Sequence, residues 1–458
     1  MTSWRQSRRV RLLAAIPLVG RIPAIRLIAV VQWFRRLRNF GFEYGVRAGA
    51  WLRTGRDWRA RGPSDVVQYR SSFSDVARFF APRTLRAFFH RSPLGREFFR
   101  SSAVVVPARA QADVENHSAR IRVAVYVNSG GNFFHAELAD LLAHGLETSG
   151  AFDVSRRNET EEPALDVDEH IVVAPHEFFG LGSGARFGEE RYRAFRRRCT
   201  LFLAEQPGTT HFALCLPYAA EARLILDLNP ASAEALRKLG MCSRFFPAGY
   251  VKEFAPFSRR QPVPKDGAEA GLSFAGARDR ADDAAVRDPR PIDILFTGVL
   301  TPRRAAFFSR HAAFFASKRC FFSLPTPLTP LRSGVPSALP TVEATALSQR
   351  AKILLNIHRD RRPYFEWHRV VIRGFWQKAL VVTEPVELPP GFEAGVHLFE
   401  AELDRIPELL QWLLETADGR ASAKCVREAA YQTFVEHYEM TPWAHELADV
   451  YRASTRVS

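Results

Sequence analysis

The feature that most constrains the fold is a pattern that occurs twice: a short apolar strand, a glycine turn and an amphipathic helix. The first copy begins at Ile121–Val127, a run rich in β-branched residues, and passes through the turn 128–132 into apolar positions with helical spacing. The second begins at Ile292–Thr297, turns at Gly298 and enters a helix near Arg304. Such short, largely apolar strands are typical of parallel sheets that are buried on both faces. The repeated pattern therefore predicts an α/β protein with two Rossmann-like domains.

Further apolar runs, separated by stretches with helical spacing, extend both units. In the first unit they predict strands at 170–174, 200–204 and 224–228 and helices at 189–198 and 231–239, with Gly240 as the last helix's C-cap. In the second they predict strands at 353–357 and 380–383, then amphipathic helices at 402–416 and 421–451 with a break near Pro442. The segment 252–290 is rich in Pro, Gly, Ala, Asp and Arg and is predicted to link the domains. We therefore divide the chain into 1–115, 116–251, 252–290 and 291–458.

The positive charge of the chain belongs to its N-terminal segment. Residues 1–110 hold 22 Arg, no Lys and 5 acidic residues, a net charge of +17. The remaining 348 residues hold 42 basic and 44 acidic residues, a net charge of −2. Because the charge is confined to one block that has no recognised nucleic-acid-binding motif, we do not expect nucleic acid as a partner.

Residues 1–60 alternate arginines with the apolar runs 12–20 and 27–34, which are too short to span a bilayer. A basic helix flanked by Trp33 and Phe34 is typical of a segment that lies on an anionic membrane surface. A solvated helical extension and an organellar transit peptide are the alternatives, and no secretory signal is predicted. The five scattered cysteines include no CxxC pair, which fits a reducing compartment. We expect a cytoplasmic protein that attaches peripherally to the inner face of a membrane.

Candidate site residues lie in the loops that follow the predicted strands, because open parallel sheets bind ligands there. Gly298 followed by Arg303 and Arg304 at a helix start fits a diphosphate, which backbone amides, the helix dipole and guanidinium groups bind. Two ordinary surface arginines are the alternative reading. Gly130 and Gly131 allow the backbone to approach a ligand closely, or they form a plain tight turn.

The segment 355–369 is the densest polar stretch at a strand exit, and it contains His358, Glu366, His368 and Arg369. A carboxylate there could hold sugar hydroxyls or a ribose, and an arginine could neutralise a leaving phosphate. The two histidines are candidate acids or bases, although a structural histidine is the commoner case. The Asp-Val-Asp at 166–168 has the form of a metal-binding DxD, but it precedes a strand, so no metal site is predicted.

Several of these segments resemble one known family. The run 353–415 and the segment DILFTGVLTPRR at 293–304 resemble the C-terminal domain of group 1-type glycosyltransferases, especially the branch near spore-maturation-protein-like enzymes. In the first half, IVVAPHEFF, LFLAEQPG, LILDLNPASAEALRKLG and FPAGY resemble the acceptor-side domain of the same enzymes. The resemblance covers about residues 120–440. It leaves the basic helical N-terminal extension, residues 1–115, outside.

The resemblance implies a GT-B fold, in which two Rossmann-like domains face a cleft. Residues 116–251 would form the acceptor-side domain, and 291–458 would form the donor-binding domain, whose final helix crosses back. The family implies a nucleotide-sugar donor, retention of configuration and neither cofactor nor obligatory metal. Its motifs imply catalytic roles for Glu366 and Arg369, and donor or diphosphate contacts for Gly298, Arg303, Arg304, His358 and Glu384. The acceptor-side loop would include Gly130, Gly131, His135 and Glu205.

One position departs from the family pattern. The family's paired glutamates are separated by seven residues, so the partner of Glu366 should stand at position 374, which is Gly374. We therefore keep two hypotheses. The first is a glycosyltransferase that transfers a sugar to a glycan or lipid-linked acceptor in cell-envelope polysaccharide synthesis. The second is a catalytically silent GT-B module that binds glycan or acts as a scaffold.

Overall fold

The computed structural model describes residues 120–207, 209–258, 290–324, 339–359, 365, 367 and 370–455. The predicted N-terminal extension 1–115 lies outside the described residues, as does most of the predicted linker. Among the residues that are described, no helix combines the length and the apolar character that crossing a bilayer requires.

The first domain is a parallel sheet, and all four apolar runs that were predicted as strands in this domain belong to it. Its strands are β1 (Ile121–Val127), β2 (Phe152–Asn158), β3 (Glu169–Val173), β4 (Cys199–Leu203), β5 (Leu224–Asp227) and β6 (Ser243–Phe245). Within the described residues they lie side by side in the order β2-β1-β3-β4-β5-β6. The helices between them are α1 (Phe133–Thr148), α2 (Pro175–Phe178), α3 (Arg193–Arg198), α4 (Thr210–Ala219) and α5 (Pro230–Lys238).

The second domain repeats this architecture. Its strands are β7 (Ile292–Thr297), β8 (Cys320–Ser323), β9 (Ala351–Asn356), β10 (Leu380–Thr383) and β11 (Phe399–Glu400). They are also parallel, in the order β11-β10-β9-β7-β8. Its helices are α6 (Pro302–Arg310), α7 (Ala312–Ala316), α8 (Thr341–Arg350), α9 (Val370–Trp376), α10 (Ile406–Glu415), α11 (Ala417–His437) and α12 (Met440–Thr455).

In both sheets the second strand lies on one side of the first strand, and the third strand lies on the other. Each sheet therefore has a topological switch point, between β1 and β3 in the first domain and between β7 and β9 in the second. The helices that leave the two flanking strands diverge there and open a crevice at the carboxyl edge, where ligands bind in sheets of this kind. The predicted fold class, two Rossmann-like α/β domains, is confirmed.

The last helix packs on the first domain, although its sequence follows the second. α12 lies against α1, where Met440 contacts Gly145. Near the helix end, the buried hydroxyl of Tyr451 donates to Thr200 Oγ1 at 2.9 Å. One cluster of buried apolar side chains also runs without a break from α1 to α9, α11 and α12. The two domains therefore share a core, and α12 belongs spatially to the first of them.

A buried ion pair also joins the domains. Arg373 on α9 donates to Glu137 on α1 at 3.3 Å, and both side chains are at most 5% exposed. Thr341 at the start of α8 donates to the same carboxylate. Burial lowers the pKa of Arg373, and the charge of Glu137 opposes that effect.

The structure adds elements that the apolar pattern does not reveal. β2, β6, β8 and β11 are short, polar or interrupted by charge, as in the sequence FDVSRRN of β2. The helix predicted at 189–198 begins only at Arg193, because 190–192 form a 3₁₀ turn. Of the predicted linker, Phe257 is buried against Trp376 and its carbonyl accepts from Gln377 at 2.8 Å.

Candidate functional site

The structure brings five predicted donor-side residues together at the β7/β9 switch point. Gly298 follows β7, and Arg303 and Arg304 lie in the first turn of α6. Thr301 caps this helix by accepting from the amide of Arg304 at 3.3 Å. His358 and Glu384 follow the neighbouring strands β9 and β10 and are both buried.

Arg303 and Glu384 form the charged centre of this group. The guanidinium of Arg303 binds both carboxylate oxygens of Glu384, with Nη1 2.7 Å from Oε2, and Nη1 also donates to the carbonyl of His358 at 3.1 Å. The amide of His358 donates to Glu384 Oε2 at 2.6 Å. Glu384 therefore fixes the guanidinium at the carboxyl edge of the sheet, and the side chain of Arg303 remains about one-fifth exposed, at 21%.

The guanidinium of Arg304 is hydrogen-bonded to backbone carbonyls around the turn, so it stabilises the turn more than it serves ligand binding at the carboxyl edge of the sheet. Its Nε donates to the carbonyl of Ile357 and its Nη1 to that of Val299, each at 2.8 Å. Its guanidinium also lies 5.3 Å from the ring centre of Phe296. A Cβ on Gly298 would come 2.8 Å from Arg304 Nη1, so the glycine makes room for this arginine. Of the two predicted phosphate-binding arginines, Arg303 is the better placed.

Glu366 and Arg369, the two residues predicted to be catalytic, lie outside the described residues, as does His368. The described residue before them, Phe365, forms a bridge with Glu387, which follows β10. Its backbone also pairs with a side chain of the first domain. Gln206 donates to the carbonyl of Phe365 at 2.6 Å and accepts from its amide at 3.1 Å. Because Gln206 follows β4, this contact places the carboxyl edges of the two sheets next to each other.

Position 374 has a packing role. Gly374 is buried in α9, and a Cβ there would come closer than 3.0 Å to Val381 Cγ2 on β10. The position faces the sheet and has no room for a glutamate. The second carboxylate of the family motif is therefore excluded at this position by packing.

The acceptor-side residues converge at the other switch point, between β1 and β3. His135 on α1 is fully buried, and its Nδ1 lies 2.7 Å from Glu177 Oε2 on α2. Its Nε2 lies 3.3 Å from Oε1 of Glu205, which follows β4. Gly130 and Gly131 form the tight turn before α1, where the amide of Gly130 donates to Asn128 Oδ1 at 2.9 Å. A side chain on Gly131 would collide with Glu177, so this glycine admits the carboxylate.

Two members of this cluster, His176 and Glu177, are absent from the sequence prediction. Both lie on α2, directly after β3, and both are buried. His176 Nε2 lies 3.6 Å from Glu205 Oε1. The signal that could have found them is the pair His-Glu immediately after a predicted strand. α2 has only four residues, too few for a helical periodicity that would show which of its side chains face the site.

The cluster shifts the pKa of each of its members. Burial would lower the pKa of His135, but its contacts with Glu177 and Glu205 outweigh burial and raise it to about 9. Burial lowers the pKa of His176 to about 4, against the opposing charge of Glu205. Burial would raise the pKa of both glutamates, but His135 and His176 outweigh it, and each pKa falls below its usual value. One histidine is thus driven towards the charged form and the other towards the neutral form.

The Asp-Val-Asp segment lies at the opposite edge of the first sheet. Asp168 directly precedes β3, and its carboxylate binds the guanidinium of Arg122 at 2.8 Å and the backbone amide of Arg122 at 2.9 Å. It therefore lies at the amino edge, away from both switch points.

Comparison with known proteins gives structural likenesses only. No protein-family model and no curated protein matches the sequence. Among solved structures, Anabaena HepE in complex with UDP and glucose aligns with a TM-score of 0.45 and 11% identity over 73% of this chain and 100% of its own. An alpha-glucosyltransferase in complex with UDP and a 13-mer DNA gives 0.47 and 10% over 73% and 100%. T4 phage BGT in complex with UDP and Mn²⁺ gives 0.42 and 10% over 72% and 99%. The functional inference therefore rests on the residues of the site.

Proposed function

We propose that the protein is a glycosyltransferase that takes a sugar from a nucleotide-diphosphate sugar and transfers it to a glycan or lipid-linked acceptor. The observation that carries this proposal is the Gln206–Phe365 contact, which brings together the carboxyl edges of two parallel sheets. Each edge holds charged side chains at its own switch point. A donor and an acceptor could therefore bind on opposite sides of one cleft, as transfer between them requires.

The donor would bind in the second domain. Its diphosphate would lie at the start of α6, where backbone amides and the helix dipole favour an anion, and the exposed part of the Arg303 guanidinium would supply a charged contact. This charge would stabilise the leaving phosphate without a metal ion at that position. Glu366 and Arg369 keep the roles that the sequence resemblance implies, in holding sugar hydroxyls and in neutralising phosphate.

The acceptor would approach the first domain near Gly130, Gly131, His135 and Glu205. Retention of configuration and a place in cell-envelope polysaccharide synthesis follow from the sequence resemblance and belong to the same proposal. So does a cytoplasmic location, with residues 1–60 attaching the protein to an anionic membrane surface.

Binding of the donor can be tested with a panel of UDP-, GDP- and ADP-sugars, by thermal shift and by donor hydrolysis. We expect at least one of them to stabilise the full-length protein, and Arg303→Ala to weaken its binding by about tenfold or more, since a charge-assisted hydrogen bond is worth about 1.5–3 kcal/mol. Arg310→Ala is a matched control. Arg310 lies on the same helix at its other end and pairs with Asp404 on the surface.

Removal of Arg303 leaves Glu384 buried without its guanidinium, so the unliganded stability of each variant is measured first. Arg303→Lys keeps the charge and loses the fork, and it should bind the donor with intermediate affinity. Equal donor affinity in Arg303→Ala, Arg310→Ala and the unmodified protein would refute the donor assignment. Unchanged turnover in Glu366→Ala would refute the catalytic assignment.

A catalytically silent GT-B module is the second candidate function. The packing of Gly374 against Val381 favours it, because position 374 cannot supply the second family carboxylate. A silent module would show unchanged thermal stability across the whole nucleotide-sugar panel and would still bind glycan.

A further inference from the structure

Three side chains beyond the carboxyl ends of β1, β3 and β4 direct polar atoms to one point. His135 Nε2 lies 3.3 Å and His176 Nε2 lies 3.6 Å from the same oxygen, Glu205 Oε1. The three atoms all lie within 4.8 Å of one another. They come from three separate elements, so only the parallel sheet brings them together.

The opposite side of each imidazole ring is already engaged. His135 Nδ1 lies 2.7 Å from the carboxylate of Glu177 and can only donate to it. The thiol of Cys215 donates to the carbonyl of His211 at 3.4 Å and lies 3.5 Å from His176 Nδ1, so its sulfur is placed to accept from that nitrogen. When each ring is neutral and carries its proton on Nδ1, both Nε2 atoms carry lone pairs.

These lone pairs face a carboxylate oxygen, and the three acceptors repel one another unless a positive species, either a second proton on His135 or a metal ion, lies between them. His135 Nε2 is fully buried, and among the described residues it has no hydrogen-bond partner. A tetrahedral site with metal–ligand bonds of about 2.1 Å has ligand atoms about 3.4 Å apart. Two of the three separations, 3.3 Å and 3.6 Å, already lie near that value.

We propose that His135 Nε2, His176 Nε2 and Glu205 Oε1 bind a divalent transition-metal ion of the Zn²⁺ type. Two imidazoles and one carboxylate are a donor set that suits this class of ion. A small rotation of the rings would bring the third separation, between the two Nε2 atoms, closer to the same value. The proposal goes beyond glycosyl transfer and departs from the sequence prediction, which contains no metal site.

The residues around the three proposed ligands are arranged as in known metal sites of proteins. Histidines that bind a metal donate their other ring nitrogen to a carboxylate or a comparable acceptor, which fixes their orientation. Glu177 has this relation to His135, and it is itself held by the amide and the side chain of Asn132, at 2.9 Å and 2.5 Å. Three protein ligands leave a fourth position open. Glu205 is the most exposed of the three at 17%, and Gln206 beside it contacts the second domain, so the site lies next to the contact between the two domains.

The test uses full-length protein stripped with a chelator and titrated with Co²⁺, followed by visible absorption, and with Zn²⁺, followed by calorimetry. We expect one ion per chain and the ligand-field absorption of four-coordinate Co²⁺. His176→Gln and Glu205→Gln should each abolish this absorption. Glu177→Gln should keep it and weaken binding by about 10- to 100-fold. His170→Gln, which replaces a buried histidine on β3 that pairs with Tyr126, is the matched control and should bind like the unmodified protein.

Circular dichroism and denaturant unfolding establish that each variant is folded. If His176→Gln does not fold, Glu205→Gln, which keeps the shape of the side chain, decides the question. Absence of Co²⁺ absorption in the unmodified protein, or equal absorption in His176→Gln, Glu205→Gln and His170→Gln, would overturn the proposal. If the unmodified protein shows no Co²⁺ absorption, His135 is protonated on both ring nitrogens and links the carboxylates of Glu177 and Glu205 without a metal ion. Because no nucleotide is present, this result is independent of the donor-binding test.

Discussion

A substitution at Gly374 tests whether packing excludes a glutamate from this position, where the family that the sequence resembles has the second of its paired glutamates. In Gly374→Ala the new Cβ would meet Val381 Cγ2 at less than 3.0 Å, whereas Leu354 Cδ2 and the carbonyl oxygen of Ala379 lie at an ordinary 3.6 Å. Overpacking of this kind costs about 1–3 kcal/mol. The intrinsic preference of a helix for alanine returns about 1 kcal/mol. We therefore expect a net loss of up to about 2 kcal/mol in the free energy of unfolding.

The clash can be assigned to one neighbour with a double-mutant cycle. Val381→Ala alone should cost about 2 kcal/mol, from two lost methyl groups and the space that they leave. In the double variant the alanine at 374 enters that space, so the two losses should not add. We expect a favourable coupling of about 1–2 kcal/mol, measured by urea unfolding followed by tryptophan fluorescence. Trp376, two residues from the substitution, is buried and should report the change.

Gly374→Glu is the functional counterpart. A glutamate at this position would bury a charge against β10 in addition to the steric clash, so we expect an unfolded or strongly destabilised protein and no gain in activity. Additivity of the cycle to within about 0.5 kcal/mol would show that Val381 is not the obstacle. A stable Gly374→Glu protein with higher turnover would refute the packing explanation altogether.

Three other predictions concern polar groups inside the domains and at the contact between them. Burial raises the pKa of Asp227 from 3.8 to about 7, so the folded state keeps a proton that the unfolded state loses. The free energy of unfolding should therefore fall by up to about 4 kcal/mol as the pH rises from about 4 to about 7, and urea unfolding across this range should show a flatter profile for Asp227→Asn. Glu137→Gln should lower stability by about 3–5 kcal/mol, because it strands the charge of Arg373, and a second change, Arg373→Met, should restore most of the loss in denaturant midpoint. Gln206→Ala should cost about 1–2 kcal/mol and speed amide hydrogen exchange at Phe365, and unchanged exchange would contradict the inter-domain contact.

The main elements of the fold could be predicted from the sequence because their pattern is local. β1, β7 and β10 begin and end at the predicted residues, since each is a largely apolar run that is followed directly by a polar residue or a glycine. β2 and β11 could not be predicted in this way. They lie at the edges of their sheets, where polar and charged side chains reach solvent and the apolar pattern is lost.

The candidate site could be predicted in part, for a related reason. Loops that follow strands are visible in the sequence, so Gly298, Arg303 and Glu384 could be placed at one sheet edge. The partner of each charge could not be predicted. That Glu384 holds Arg303, while Arg304 is held by backbone carbonyls, depends on side-chain directions that no spacing along the chain specifies.

The sequence by itself determined the two sheets and the loops that carry charge, because strand, turn and helix are encoded within about ten neighbouring residues. Only the tertiary structure decided what those loops do together. Gly374 became a packing residue because Val381 lies across from it. His135, His176 and Glu205, spread over 71 positions from first to last, became one cluster because parallel strands align their carboxyl ends at one edge. Contacts between residues distant in sequence depend on how the sheets assemble, and local preferences do not contain that information.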